Sequence, residues 1–188
     1  MPAQAAGSSL HSRARITGVV YLLYFLTAVS AEVFVGRGRV VAFEAVNLIG
    51  YAFYIAVTLL LYFMFRPVNG PLAMIAAFVS LLGCTNDVLN LLKVAPFKIN
   101  SLLFFGFFCL LIGYLVARSN FLPRSLGVLM GLAGIGWLMF LSPLGNYLGT
   151  YLKILGFVAE LSLMLWLIVM GVDEQRWREM ANRAEVGT

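Results

Sequence analysis

Three acidic residues lie inside long apolar segments, at positions that a lipid bilayer would surround. Glu32, Asp87 and Glu160 belong to three different segments, and no Lys or Arg lies beside any of them at the same depth. A charged side chain at the centre of a bilayer costs about 2.5–3.5 kcal/mol on insertion scales, so such residues usually face a protein interior or a wet cavity. The three acids therefore suggest a binding or proton-carrying site.

The first two apolar segments carry polar stripes at helical spacing. Steps of three and four residues bring Tyr21, Tyr24 and Glu32 onto one face of the first segment. The same spacing joins Asn47 and Tyr51 in the second segment. Polar groups in lipid must find partners inside the bundle, so we expect these stripes to face each other.

In the third segment, Asn86 and Asn90 lie one helical turn apart with Asp87 between them. The candidate set for ligand or proton binding combines acids, amides and phenols from four segments: Glu160, Asp87, Glu32, Asn86, Asn90, Asn47, Tyr51 and Tyr24. The alternative for each is a structural role, since polar contacts between membrane helices contribute about 0.6–2 kcal/mol. No catalytic residue is assigned.

The depth of each acid follows from the helical rise. Glu160 comes nine residues after Tyr151, which places it about 13 Å into its helix at 1.5 Å per residue. Asp87 and Glu32 lie nearer the far ends of their segments, in the outer half of the membrane. We therefore expect one carboxylate-lined polar pocket that opens to the outer face.

The composition is that of a polytopic membrane protein. Of the 188 residues, 62% are hydrophobic and 11% are charged, against about 25% charged in soluble domains. The basic residues behind the net charge of +5 are scattered between apolar runs, a pattern typical of topology signals and lipid headgroup contacts. We expect membrane lipids as partners and no nucleic acid.

Six apolar segments of 17 to 23 residues have the length needed to cross a hydrocarbon core of about 30 Å: Ile16–Val35, Ala45–Phe65, Leu72–Val94, Ser101–Ala117, Ser125–Leu141 and Tyr151–Met170. The predicted fold class is all-α, a polytopic bundle of six transmembrane helices. Its domains are a cytoplasmic N-terminal tail (1–15), the transmembrane domain (16–170) and a cytoplasmic amphipathic tail (171–188).

The flanking basic residues predict the orientation. With the N-terminus inside, eight Lys and Arg lie on the cytoplasmic side, and five lie on the opposite side: Arg37, Arg39, Lys93, Lys98 and Lys153. We therefore expect both termini in the cytoplasm. The small residues from Ala28 to Ala31 resemble a signal-peptide cleavage site, but the apolar run continues to Val35, which favours an uncleaved first helix.

The fourth to sixth segments contain Phe105-Gly-Phe-Phe-Cys-Leu-Leu-Ile-Gly-Tyr-Leu, Arg118-Ser-Asn-Phe-Leu-Pro-Arg-Ser-Leu-Gly127 and Ala159-Glu-Leu-Ser-Leu-Met-Leu-Trp-Leu167. With Arg15-Ile-Thr-Gly-Val-Val-Tyr-Leu, Ala31-Glu32 and Arg66-Pro-Val-Asn, they resemble a bacterial membrane family catalogued as domain of unknown function number 4386. The resemblance implies a six-helix bundle in the bacterial cytoplasmic (inner) membrane and no established activity. Members often carry His where this chain has Phe108, so any family metal chemistry is not expected here.

The residue inventory disfavours cofactors, metals and enzyme chemistry. His11 is the only histidine and lies in the N-terminal tail, which argues against a haem, di-iron or zinc site. The leading hypothesis is binding or translocation of a small solute, cation or proton. The alternatives are an accessory or assembly subunit, and a cofactor-free membrane enzyme acting on a lipid or isoprenoid. A homodimer through the glycines of the fifth segment, Gly127, Gly131 and Gly134, is a further expectation.

Overall fold

The computed structural model of the chain describes residues 3–35, 38–95 and 99–186, with side chains described between residues 12 and 184. These residues form helices and turns and contain no strand, so the all-α prediction is confirmed. The helices are α1 (Ala3–Ser30, continued by a π-helical turn, Ala31–Val35), α2 (Val40–Phe65), α3 (Gly70–Leu91), α4 (Leu102–Arg118), α5 (Arg124–Met139), α6 (Leu144–Val169) and α7 (Glu174–Val186). Arg37 and Lys98, which entered the orientation argument, lie outside the described residues.

Four of these helices are long and apolar enough to cross a membrane: Ser12–Val35, Val40–Phe65, Gly70–Leu91 and Leu144–Val169. The apolar helices α4 and α5 are shorter, at 17 and 16 residues. Many large apolar side chains, such as Phe34, Val41 and Phe78, are exposed on the outside of the bundle. An outer surface of this kind is typical of a protein that lipid surrounds.

Helices α1, α2 and α6 begin five or more residues before their predicted segments, at Ala3, Val40 and Leu144. α1 is helical from Ala3, so most of the predicted N-terminal tail extends the first helix. α6 begins at Leu144 rather than Tyr151, so Gly145 and Gly149, which lie between the predicted fifth and sixth segments, belong to its first turns. A Cβ atom on Gly145 would collide with the carbonyl group of Phe140. Gly145 is therefore required because two stretches of backbone lie close together, and it does not end the helix.

The glycine face predicted on α5 packs against α4 of the same chain. A Cβ atom on Gly127 would lie 2.5 Å from the Ala117 backbone nitrogen, and one on Gly134 would lie 2.8 Å from the Gly106 oxygen. The third glycine, Gly131, has open space where its Cβ would be. Small residues let two helix backbones approach closely, so α4 and α5 form a tight hairpin. In this fold α4 occupies the face proposed for a second copy.

The C-terminal helix α7 packs against one end of the bundle. The indole N–H of Trp177 donates to the Met64 carbonyl oxygen at 2.9 Å, at the end of α2. The backbone N–H of Asp173 donates to the Phe121 carbonyl oxygen in the α4–α5 turn at 3.2 Å. The amphipathic tail thus joins the ends of α2, α4 and α6 on the side predicted to be cytoplasmic.

We expect Gly127→Ala to lower the free energy of unfolding by about 1–3 kcal/mol, the usual cost of overpacking a close-packed contact. Thermal unfolding in lipid nanodiscs, followed by tryptophan fluorescence, measures the change. Gly131→Ala is the matched control, because its Cβ meets open space, and we expect it to be neutral or slightly stabilising. Equal unfolding temperatures for the two variants would contradict the close contact between α4 and α5.

Candidate functional site

A cavity of about 360 Å³ lies among the six apolar helices, and each of α1 to α6 contributes residues to its wall. Four of the predicted site residues line it: Glu160, Asp87, Tyr51 and Tyr24. Aromatic side chains make up much of the rest of the wall. The structure therefore brings two of the three predicted acids to one cavity.

Glu160 is buried in the middle of α6, with 5% of its surface exposed. The phenol hydroxyl of Tyr21 donates a hydrogen bond to its Oε2 atom at 3.0 Å and so joins α1 to α6. Among the ion pairs between described residues, none includes Glu160. Tyr21 lies on the predicted stripe of α1 but was not in the candidate set. Its place one helical turn before Tyr24 was the signal for it.

Asp87 is held by a chain of polar side chains where α3 meets the start of α4. The Ser101 hydroxyl donates to Asp87 Oδ1. Asn86 Nδ2 in turn donates to Ser101 Oγ at 2.8 Å and to the Ile99 carbonyl oxygen at 3.1 Å. Asn86 thus positions Ser101 without lining the cavity itself. Sequence analysis missed Ser101, although a serine directly before an apolar helix is a recognisable start signal.

Aromatic rings form a connected layer along the cavity. The ring centroids of Tyr24 and Tyr54 are 4.8 Å apart, and Tyr54 lies 6.0 Å from both Phe105 and Phe108. Trp137 extends the layer at 5.6 Å from Phe105. The Tyr54 hydroxyl and the Trp137 indole nitrogen are buried and have no hydrogen-bond partner among the described residues. The wall therefore combines ring faces with donors that no described side chain or backbone group satisfies.

Glu32, Asn47 and Asn90, the other predicted residues, do not line this cavity. Glu32 is exposed on the π-helical turn, and it is not part of the cavity wall. The wider π-helical turn breaks the 3.6-residue register used to align Glu32 with Tyr24. Asn47 donates to the Phe43 carbonyl oxygen and exposed Asn90 donates to the Asn86 carbonyl oxygen, each within its own helix at 2.8 Å. The structure does not bring these three residues to the two cavity acids.

Lys153 is a cation that the sequence analysis assigned only to the outer flank. It lines the same cavity as Glu160, seven residues and so about 10 Å away on one face of α6. Its Nζ atom lies 5.5 Å from the centroid of the Phe140 ring. The predicted segment began at Tyr151 and put Lys153 in its first turn, whereas α6 begins at Leu144, so Lys153 lies in the third turn of the helix.

We expect Tyr21→Phe to lower the free energy of unfolding by about 1–3 kcal/mol, because the buried Glu160 carboxyl loses its hydrogen-bond donor. Glu160→Gln keeps an acceptor for Tyr21 and should stay closer to wild type. Unfolding of both variants in nanodiscs measures this. Tyr147→Phe is the control, since Tyr147 is 83% exposed. A Tyr21→Phe protein as stable as Tyr147→Phe would show that the hydrogen bond contributes nothing.

Part of the cavity wall lies in a segment that is similar to a described family. Residues 97–171 match the family model named "Domain of unknown function (DUF4386)". This segment contains Ser101, Trp137, Lys153 and Glu160, whereas Asp87 and the tyrosines of α1 and α2 precede it. The match covers the helices in which the sequence resemblance was strongest.

The chain is also similar to an uncharacterized protein of Archaeoglobus fulgidus. The two are 29% identical over 125 residues, which cover 62% of this chain and 76% of the relative. No solved structure matches the chain. The resemblance to DUF4386 that the sequence predicted is confirmed over residues 97–171.

Proposed function

We propose that this chain is a six-span protein of the bacterial cytoplasmic membrane that binds and translocates a small solute, cation or proton. The short helices α4 and α5 are included as spans because their ends coincide with those of longer ones. The Asn86–Ser101 bond joins the end of α3 to the start of α4. The Asp173–Phe121 bond joins the α4–α5 turn to the segment after α6. α4 and α5 thus extend between the same two ends of the bundle as α3 and α6.

The buried carboxyl of Glu160 is the observation that carries the proposal. It faces a cavity, it is 5% exposed, and Tyr21 supplies the hydrogen bond described for it. Burying a carboxylate without a cation is costly, so an acid kept only for packing would be an expensive solution. A glutamine would keep the bond to Tyr21 without the charge. The acid is therefore best explained by a cargo that exchanges with its proton or pairs with its charge.

Asp87 supports a path through the cavity rather than a closed site. It lines the same cavity as Glu160 but sits at the α3–α4 end, where Ser101 and Asn86 hold it. We propose that Asp87 receives the cargo near the outer face and that Glu160 binds it deeper. Tyr24 and Tyr51 line the cavity with the two acids. Glu32, Asn47 and Asn90 would act outside the cavity wall, on access to it.

The alternative hypotheses have less support. An accessory subunit needs a surface for its partner, and two candidate surfaces, the α5 glycine face and the C-terminal tail, contact this chain itself. A cofactor-free enzyme acting on a lipid would have to use the two cavity carboxyls as its acid and base. No other observation favours that reaction. Among the described residues, no group of three His, Cys, Asp or Glu is placed to hold a metal ion.

Native mass spectrometry of protein released gently from its own membranes tests binding. We expect the wild type to retain a stoichiometric small molecule that is not a lipid. Ala28→Phe should lose it, because Ala28 lines the cavity and the ring would fill part of it. Ala52→Phe is the matched control, since Ala52 is exposed on α2. A wild type carrying lipids alone, or a defined protein partner instead, would contradict the proposal.

Proteoliposomes loaded with a pH-sensitive dye test translocation. If the cargo is a proton, or is exchanged for one, an imposed pH gradient should dissipate faster than in empty vesicles. Glu160→Gln should reduce this flux to about that of empty vesicles, since the exchangeable proton is gone. Glu44→Gln removes an acid of α2 that is not part of the cavity wall, and we expect it to retain wild-type flux. Equal fluxes in the two variants would exclude Glu160 as the carrier.

A further inference from the structure

The wall of the cavity is suited to one class of solute. The rings of Tyr24, Tyr54, Phe105 and Trp137 follow one another at centroid distances of 4.8, 6.0 and 5.6 Å, and all four line the cavity. They come from four different helices, α1, α2, α4 and α5. The face of an aromatic ring carries partial negative charge and attracts a cation, and several rings together form the cage that binds quaternary ammonium groups. The ring layer therefore favours a positive ligand with an apolar body.

The charges in the wall favour the same sign. Two carboxyl groups, Glu160 and Asp87, face the cavity against one ammonium group, that of Lys153. Lys153 Nζ lies 5.5 Å from the Phe140 ring, which is not part of the cavity wall, and it makes no described ion pair with either acid. A cationic ligand would supply Glu160 with the partner that the described residues do not. An anion would meet two carboxyl groups.

The size and chemistry of the cavity argue against simpler cargo. Its volume of about 360 Å³ corresponds to about twelve water-sized groups at about 30 Å³ each. A proton needs no such space. A bare metal ion needs several oxygen, nitrogen or sulfur ligands, and the described residues contain no cluster of three His, Cys, Asp or Glu that would supply them.

We infer that the cavity binds an organic cation with an apolar body, its charge beside the Glu160 carboxyl and its body among the rings from Tyr24 to Trp137. This inference rests on the proposed function, because it assigns a ligand class to the same cavity. The aromatic rings and the carboxyl together should give a charged solute a higher affinity than a neutral one of equal shape. Apolar contacts alone would give the two solutes equal affinity.

Benzyltrimethylammonium and its uncharged isostere neopentylbenzene, in which carbon replaces nitrogen, form the matched pair of probes. Equilibrium dialysis against protein in nanodiscs measures binding, with empty nanodiscs subtracted for partition into lipid. We expect the wild type to bind the cation saturably, at one site, and at least about tenfold more tightly than the isostere, as ring faces and a desolvated carboxyl act together. Ala28→Phe should remove the binding of both probes.

Two variants separate charge from packing. Glu160→Gln should weaken cation binding by about tenfold or more and leave the isostere unchanged, whereas Glu44→Gln should match the wild type. Phe105→Leu keeps an apolar side chain but removes a ring face, and we expect about threefold or greater weakening for the cation only. Far-ultraviolet circular dichroism and the unfolding temperature establish that each variant is folded. If Glu160→Gln fails to fold, Phe105→Leu still tests whether the rings favour the cation over the isostere.

The outcomes distinguish the ligand class from the proposed function. Cation affinity that is equal to that of the isostere, or unchanged in Glu160→Gln, overturns the organic cation. If native mass spectrometry still finds a small non-lipid solute that Ala28→Phe loses, the proposed function survives that failure. If it finds lipids alone and neither probe binds, both proposals fail. Saturable, Glu160-dependent binding of the cation supports both.

Discussion

The hydrogen bond from Tyr21 to Glu160 is the contact on which the arrangement of the bundle depends. It joins the first apolar helix to the last, across 139 positions of sequence. Gly18, three residues before Tyr21, lets the same two helices approach so closely that a Cβ atom there would lie 2.8 Å from the Ile168 backbone nitrogen. Helices α1 and α6 thus close the bundle, and this closure fixes the depth of the carboxyl in the cavity wall.

Glycines also determine which helices of the bundle pack closely and where a cavity remains. Between α4 and α5, Gly113 and Gly127 bring the backbones together and leave no room for side chains between them. Toward α6, Gly156 accepts the indole ring of Trp137, which would overlap any Cβ atom at that position. Trp137 thus packs on α6 at Gly156, whereas Phe105 and Phe108 contact the Tyr54 ring of α2, one tilted and the other edge to face. These rings do not fill the space completely. The cavity is what remains between rigid rings and closely packed backbones.

Much of this arrangement could be predicted from the sequence, and the failures have local causes. The length of each apolar segment predicted its helix, and acids inside apolar segments pointed to Glu160 and Asp87. Both signals reflect the free-energy cost of exposing polar groups to lipid. The place of Glu32 could not be predicted, since a π-helical turn interrupts the register of α1. Lys153 was assigned to the outer side because the sixth segment was predicted to begin at Tyr151, whereas α6 begins two turns earlier, at Leu144. Ser101 and Tyr54 act through contacts between helices, which spacing within one helix does not reveal.

The polar groups of the described bundle are satisfied in most places but not around the cavity. Thr58 pairs with Ser80 at 2.7 Å, and Asn86 pairs with Ser101, so polar contacts between neighbouring helices can be completed in this fold. The buried side-chain donors without a described partner, Tyr54 and Trp137, both belong to residues of the cavity wall. Each unsatisfied buried group lowers the free energy of unfolding by about 1–3 kcal/mol. Two such groups in the wall of one cavity therefore destabilise the unliganded bundle. Their position in the same wall as the Glu160 carboxyl supports the proposal that this cavity binds a solute.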